Sequence, residues 1–226
     1  MTSEKTTAGQ SIAGPTAHET IYQKIRDKLL FGELEPGQAV TIHGLVGEFN
    51  ISMTPVREAI RRLIAEGALE LLGNRRVCVP PMQERAFAEI AYARLAIEPE
   101  LARLATKNCK TADIDALHHI DQAVNHAIDS GDVLAYMRNN YQFHFRLYAY
   151  ANSKVLANVS QSLWLRHGPL SRIIFGMQGT RNLTDLHEET LHALRAGDEK
   201  AVFQAIHGDI QQGIAFVLEN MRWKII

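Results

Sequence analysis

Residues 51–63 read Ile51-Ser52-Met53-Thr54-Pro55-Val56-Arg57-Glu58-Ala59-Ile60-Arg61-Arg62-Leu63, and this stretch decides how the first third of the chain folds. Val56, Ile60 and Leu63 recur at helical spacing, with Ala59 and Ile64 beside them, so one helix face is apolar and buried. Ser52 or Thr54 can cap the start. Pro55 fits the first turn, where backbone N–H groups have no intrahelical partner. Gly67 ends the helix. Arg57, Arg61 and Arg62 lie off the apolar stripe, and the outward face offers Thr54, Arg57 and Arg61.

Upstream, Ile21, Ile25 and Leu29 recur every fourth residue, with Tyr22 and Leu30 widening the stripe; Gly32 and Pro36-Gly37 then break it. A short apolar segment, Val40 to Phe49, places Leu45, Val46 and Phe49 on one face, with Thr41 as its cap. Gly44 and Gly47 give it poor helix propensity, so packing must hold it. Downstream, Leu69-Glu70-Leu71-Leu72, Gly73-Asn74 and Val77-Cys78-Val79 predict a hairpin with Arg75 and Arg76 near its tip. Pro80-Pro81 stops it and marks a domain boundary. Helix, short helix, helix, hairpin is the order of a winged helix-turn-helix. A helix fills the major groove, where arginine can donate two hydrogen bonds to guanine. Arg75 and Arg76 would meet phosphate or the minor groove, and Lys24 and Lys28 would add backbone contacts. Arginines on an isolated helix are most simply a solvated surface. The short preceding helix and the hairpin turn the reading toward DNA.

From Gln83 the pattern is helical, over about 83–107, 111–130, 132–151, 153–176, 183–196 and 199–221, with breaks such as Ser130-Gly131-Asp132 and Ala196-Gly197-Asp198. These helices predict an antiparallel bundle, whose interior can carry ligand or metal sites. The fold expected is therefore mainly α: a tail over 1–17, a winged head over 18–80 and a helical body over 81–226. The chain has 226 residues, 46% of them apolar, which excludes wholesale disorder. A net charge of −1 excludes indiscriminate coating of nucleic acid, though not a local basic surface. Cys78 and Cys109 are the only cysteines and form no CxxC, so a zinc ribbon or disulfide framework is excluded. Without a signal-like or spanning apolar run, the compartment expected is the cytoplasm.

Within the body, Asn140 and His144 are spaced i, i+4 and share a helix face. His187 lies in the next-to-last helix, and Asp209 in the last, between inward-pointing Ile206 and Ile210. Imidazole nitrogen with carboxylate oxygen suits Zn²⁺, Ni²⁺ or Mn²⁺. A core histidine satisfied by one hydrogen bond is the simpler explanation of each ring taken alone. His118, His119 and His126 are expected at the surface, and His167 fits a surface or a core role.

The stretch from Ile51 to Leu63, with Pro36-Gly37 and Glu66-Gly67, resembles the recognition segment of GntR-family transcriptional regulators, whose usual pattern is V-S-R-T-P-V-R-E-A-L-x-x-L. That resemblance implies a winged helix in a homodimer reading a palindrome. Met53 replaces the arginine after the serine, His43 stands where an arginine often contacts DNA, and Arg76 replaces a usual glycine. Methionine can only pack, so the operator should differ from the commoner ones. Residues from about 83 to 222 resemble the FCD domain of FadR-type regulators, through Arg94-Leu95-Ala96-Ile97-Glu98, Asn140-Tyr141-Gln142-Phe143-His144, Ala151-Asn152-Ser153, and His187 before Ala193-Leu194. Many members bind a metal with one Asp and three His, and the metal holds a carboxylate effector. The resemblance implies a site of Asn140, His144, His187 and Asp209, with Arg94 lining the effector cavity. Asn140 stands where the family has Asp, and Asp209 where it has His, so the ligand charge is conserved. His207 lies two residues from Asp209, about 200° around the helix. A retained metal and an organic ligand held directly by these side chains both remain open.

The function expected is a DNA-binding regulator, most often a repressor, and not an enzyme. Its partners are a double-stranded palindromic operator, a carboxylate-type effector and a second copy of the chain. Two rivals are a metal-dependent enzyme using the His/Asp site and a DNA-binding dimer with no effector.

Overall fold

The computed structural model describes residues 17–73, 75–179 and 186–221. The expected tail up to residue 16, Asn74 in the hairpin and the expected helix start at 183 lie outside the described residues.

The head opens with α1 (Ala17–Leu30), whose stripe of Ile21, Tyr22, Ile25, Leu29 and Leu30 is buried throughout. Strand β1 (Ala39–Val40) leads into α2 (Ile42–Phe49), capped by Thr41, whose hydroxyl accepts from the Gly44 N–H at 3.0 Å. Helix α3 (Met53–Ala65) buries Val56, Ala59, Ile60 and Leu63, as the spacing predicts. Ser52 occupies its N-cap position but makes no side-chain cap bond, so the expected cap is absent there. The wing pairs β2 (Glu70–Leu71) with β3 (Val77–Cys78), in register Glu70 with Cys78 and Leu71 with Val77. β1 adds to the far side of β3, giving the antiparallel order β1-β3-β2. That third strand departs from the sequence expectation, which took Val40 into the helical segment. Two residues are too few to show a period of two.

The body is helical: α4 (Glu84–Thr106), α5 (Thr111–Ser130), α6 (Val133–Ala149), α7 (Lys154–Gln178), α8 (Leu186–Ala196) and α9 (Glu199–Asn220). Asp132 and Asp198 cap α6 and α9 through the N–H groups of Ala135 and of Lys200 and Ala201. Short connections set α5 against α6 and α8 against α9, while α4 runs along α9 and packs on α7. No described helix is long and apolar enough to cross a membrane.

Head and body share a core. Trp164 and Leu165 of α7 belong to the same buried cluster as Ile25, Leu29 and Leu63 of the head, with Tyr141 and Phe145 of α6 against it. The approach of α1 to α7 depends on glycine. A Cβ on Gly168 would lie 2.3 Å from the Leu30 carbonyl oxygen, and one on Gly32, at φ +66°, 2.0 Å from Arg172 Cβ. Across this joint Arg166 donates to the Glu66 carbonyl oxygen at 3.0 Å and Arg138 pairs with Glu33 at 3.1 Å.

Candidate functional site

Two regions gather the residues singled out by sequence. The first is the outer face of the head. His43, Met53, Thr54, Arg57, Arg61, Arg75 and Arg76 are all exposed. Thr54, Arg57 and Arg61 share one face of α3, opposite Val56, Ile60 and Leu63. Arg61 pairs with Glu58 at 2.8 Å while remaining largely in solvent. Arg75 adopts a left-handed backbone, φ +62°, at the turn of the wing, where its N–H bonds the Leu72 carbonyl oxygen.

Other basic residues have structural roles. Arg62 lies with its guanidinium 3.5 Å from the Tyr22 ring centre and bonds Glu66 at 3.1 Å and Glu19 at 3.0 Å. The Tyr22 hydroxyl donates to the same Glu66, and burial with that carboxylate pushes its pKa up to about 12. Lys28, expected to contact the DNA backbone, instead pairs with Glu48 at 2.8 Å and Glu33 at 3.6 Å. Lys24 lies over the Phe49 ring.

The second region is a cavity walled by α4, α6, α7 and α9, with Leu30 of α1 contributing from the head. His144 and Asp209 border it. His144 Nε2 lies 3.2 Å from Asp209 Oδ2, and His187 Nε2 lies 3.9 Å from Asp209 Oδ1. Ligand atoms of these three residues all fall within 4.8 Å of one another. Each ring is held from behind. His187 Nδ1 meets Asp121 Oδ1 at 2.9 Å, and its ring stacks on Phe143. His144 Nδ1 meets the Tyr148 hydroxyl at 3.1 Å, which donates onward to Glu98 at 3.0 Å. With the tyrosine proton directed to Glu98, Nδ1–H can donate to the phenolic oxygen, which leaves His144 Nε2 with its lone pair toward Asp209; in the other tautomer, or in the protonated ring, Nε2–H donates to Asp209. A lone pair facing a carboxylate oxygen at that distance calls for a proton or a cation between them. Burial lowers the His144 pKa, and the hydrogen bond to Asp209 offsets this only in part. Burial opposes the Asp209 carboxylate, but His144, His187 and Arg94 outweigh it and lower its pKa. A neutral ring beside an ionised carboxylate, both oriented through outer partners, is a donor set that fits a divalent metal.

Asn140 lies half-buried one turn before His144 and borders the same cavity. Arg94 borders it too, with two of its nitrogens on Glu98, at 2.7 and 3.4 Å, and its guanidinium over the Trp164 ring at 4.5 Å. Glu98 is fully buried and also accepts from Trp164 Nε1 at 2.9 Å. His207 lies outside the three-residue cluster and stacks on Phe203. His119 and His126 are at the surface as expected, whereas His118 is half-buried.

Sequence reasoning gave no role to Glu98, Asp121, Tyr148 or Trp164. Spacing carried a signal for two of them, because Glu98 follows Arg94 and Tyr148 follows His144 by one helical turn. Asp121 had none, being separated from His187 by 66 residues.

The description of the bacterial regulatory proteins of the gntR family matches residues 17–79, and that of the FCD domain matches residues 89–212. The HTH-type transcriptional regulator McbR of Escherichia coli (strain K12) is 27% identical over 200 residues, covering 87% of this chain and 90% of the relative. The Nta operon transcriptional regulator of Aminobacter aminovorans is 26% identical, covering 83% and 88%. The solved structure of E. coli McbR/YncC superimposes with a TM-score of 0.86 at 25% identity, covering 91% of this chain and 99% of that one. These relatives are regulators rather than enzymes, and two domain matches end to end account for the winged head and the helical body. The chain is a transcriptional regulator of the GntR family with an FCD domain.

Proposed function

We propose that the body binds a divalent metal, Zn²⁺, Ni²⁺ or Mn²⁺, through His144, His187 and Asp209, and that a small organic acid bound beside it in the cavity sets the affinity of a homodimer for a palindromic operator. The observation that carries this reading is the convergence of two Nε2 atoms and a carboxylate, with both Nδ1 atoms engaged by Tyr148 and Asp121. A bound metal supplies positive charge in the cavity. Without one, Asp209 faces the cavity ionised, and Arg94 is matched by Glu98. A carboxylate has little reason to enter such a site unless a cation reverses its sign. Asn140 is placed to bond the metal's remaining shell or the acid, and Arg94 to orient the acid through its free edge.

At the operator, Arg57 reads a base or clamps the adjacent phosphate, with Thr54, Arg61, His43 and Met53 around it and Arg75 and Arg76 on the backbone. Repression is the expected sign; one matched relative is named a probable repressor of a D-xylose utilization operon.

Elemental analysis of protein purified without chelator or affinity-tag nickel tests the metal. About one ion per chain is expected, lost in His144→Ala and His187→Ala. In Asp121→Asn, affinity should fall ~10–100-fold, because the His187 ring loses its outer partner. Metal-free protein that still gains thermal stability from acids would instead mean direct binding by the side chains.

A further inference from the structure

His167 lies on α7 and is 7% exposed. It borders the same cavity as His144 and Asp209. Its Nδ1 pairs with Ser171 Oγ at 2.9 Å, one turn along the same helix. Its Nε2 is enclosed and has no hydrogen-bond partner among the described residues. Burial, then the nearby Arg94 charge, holds its pKa well below the usual histidine range, so the ring is neutral. An enclosed polar nitrogen without a protein partner is costly, and a water, an ion or a ligand group can supply the missing bond. The Trp164 ring neighbours both imidazoles, 5.3 Å from that of His144 and 5.2 Å from that of His167.

We propose that His167 Nε2 is the second polar contact of the effector, and that the effector is therefore a hydroxy acid whose hydroxyl and carboxylate lie at the two ends of an apolar body. This rests on the acid site proposed above. A hydroxyl suits either tautomer of the neutral ring, because it both donates and accepts. A second carboxylate does not suit this end, because Arg94, the nearby cation, is matched by Glu98 and its remaining edge serves the first carboxylate. The body between the two groups is apolar, since Phe87, Met137, Phe175 and Val217 line the rest of the wall.

Two measurements test this. The first needs no ligand. Replacing the ring by an apolar side chain removes the unpartnered nitrogen, so His167→Leu or His167→Phe should raise Tm, by about 2–4 °C for each kcal/mol gained in a chain of this size. A lower Tm in both variants would mean that the ring is structural and would overturn the proposal. The second uses matched probes, with and without Zn²⁺: benzoate against 4-hydroxybenzoate, and hexanoate against 6-hydroxyhexanoate. The natural chain should bind the hydroxylated member of a pair about tenfold or more tightly, a preference that His167→Leu abolishes. His144→Ala should weaken both members alike. Binding without hydroxyl preference, or a preference retained in His167→Leu, overturns this inference and leaves the acid site standing. No binding of any of the four overturns both.

Discussion

Three arginines on one helix, Arg57, Arg61 and Arg62, look alike in the sequence, and their surroundings separate them. Arg57→Ala should leave thermal stability unchanged and reduce affinity for a selected operator by ~1–3 kcal/mol. Arg62→Ala should do the reverse. It removes the stacking on Tyr22 and two partly exposed ion pairs, an expected loss of about 1–2 kcal/mol in denaturant titration. The difference was not legible beforehand because the partners of Arg62 lie up to 43 residues away. The same holds for Asp121. By contrast, the i, i+4 pairing of Asn140 with His144 was legible, since helical spacing puts both on one face. Protonation offers another test at this scale. The pKa values of His144 and His167 are lowered by burial. In the unfolded chain these rings take up a proton near pH 6.5, before the folded ones do. Their contribution to stability is therefore complete above that pH and is lost as pH falls from there through the folded values, the His167 ring, whose pKa is well below the usual range, losing the most. Denaturant titrations at pH 7.5 and 5.5 should show this loss, and His167→Leu should reduce it.

Helices were the legible elements. Their apolar spacing and their breaks at Gly131, Asp132, Gly197 and Asp198 fixed the described boundaries within a few residues. Strand β1 was not legible, being a two-residue segment that exists only because β3 has a free edge to pair with. Nor was the meaning of Gly168, which lies in the sequence as one glycine within an expected helix. The structure makes it the point where α7 touches the backbone of α1. Gly168→Ala should destabilise the chain by ~1–3 kcal/mol, because the clash is with a carbonyl oxygen and not with a movable side chain. Gly176, on the same helix with open space around it, is the control. Its change to alanine should be neutral or stabilising by up to ~1 kcal/mol in the same urea titration.

At the scale of the whole molecule, the head is not a bead on a string. Trp164 and Leu165 complete its core from the body, and Arg166, Arg138 and Tyr141 bond across the joint, the last accepting from Arg26 at 3.3 Å. The full chain should therefore melt in one transition by calorimetry. A fragment ending at Pro80 should melt well below it, because Leu29, Leu30 and Leu63 would lose their partners from α7. Two separate transitions in the full chain would show that this shared core is weaker than its burial implies.

Leu30 belongs at once to the core of the DNA-reading head and to the wall of the body's cavity. A single side chain is thus under two selections. If the cavity holds the proposed acid, a lineage adapting it to a bulkier one by trimming position 30 would loosen the seat of its own reading head. One that reinforced the head there would narrow the range of molecules it can sense. Changes of ligand response and changes of operator occupancy should then arrive together in variants of this position. Specificity drift elsewhere in the cavity, at Met137 or Val217, is free to proceed without that penalty.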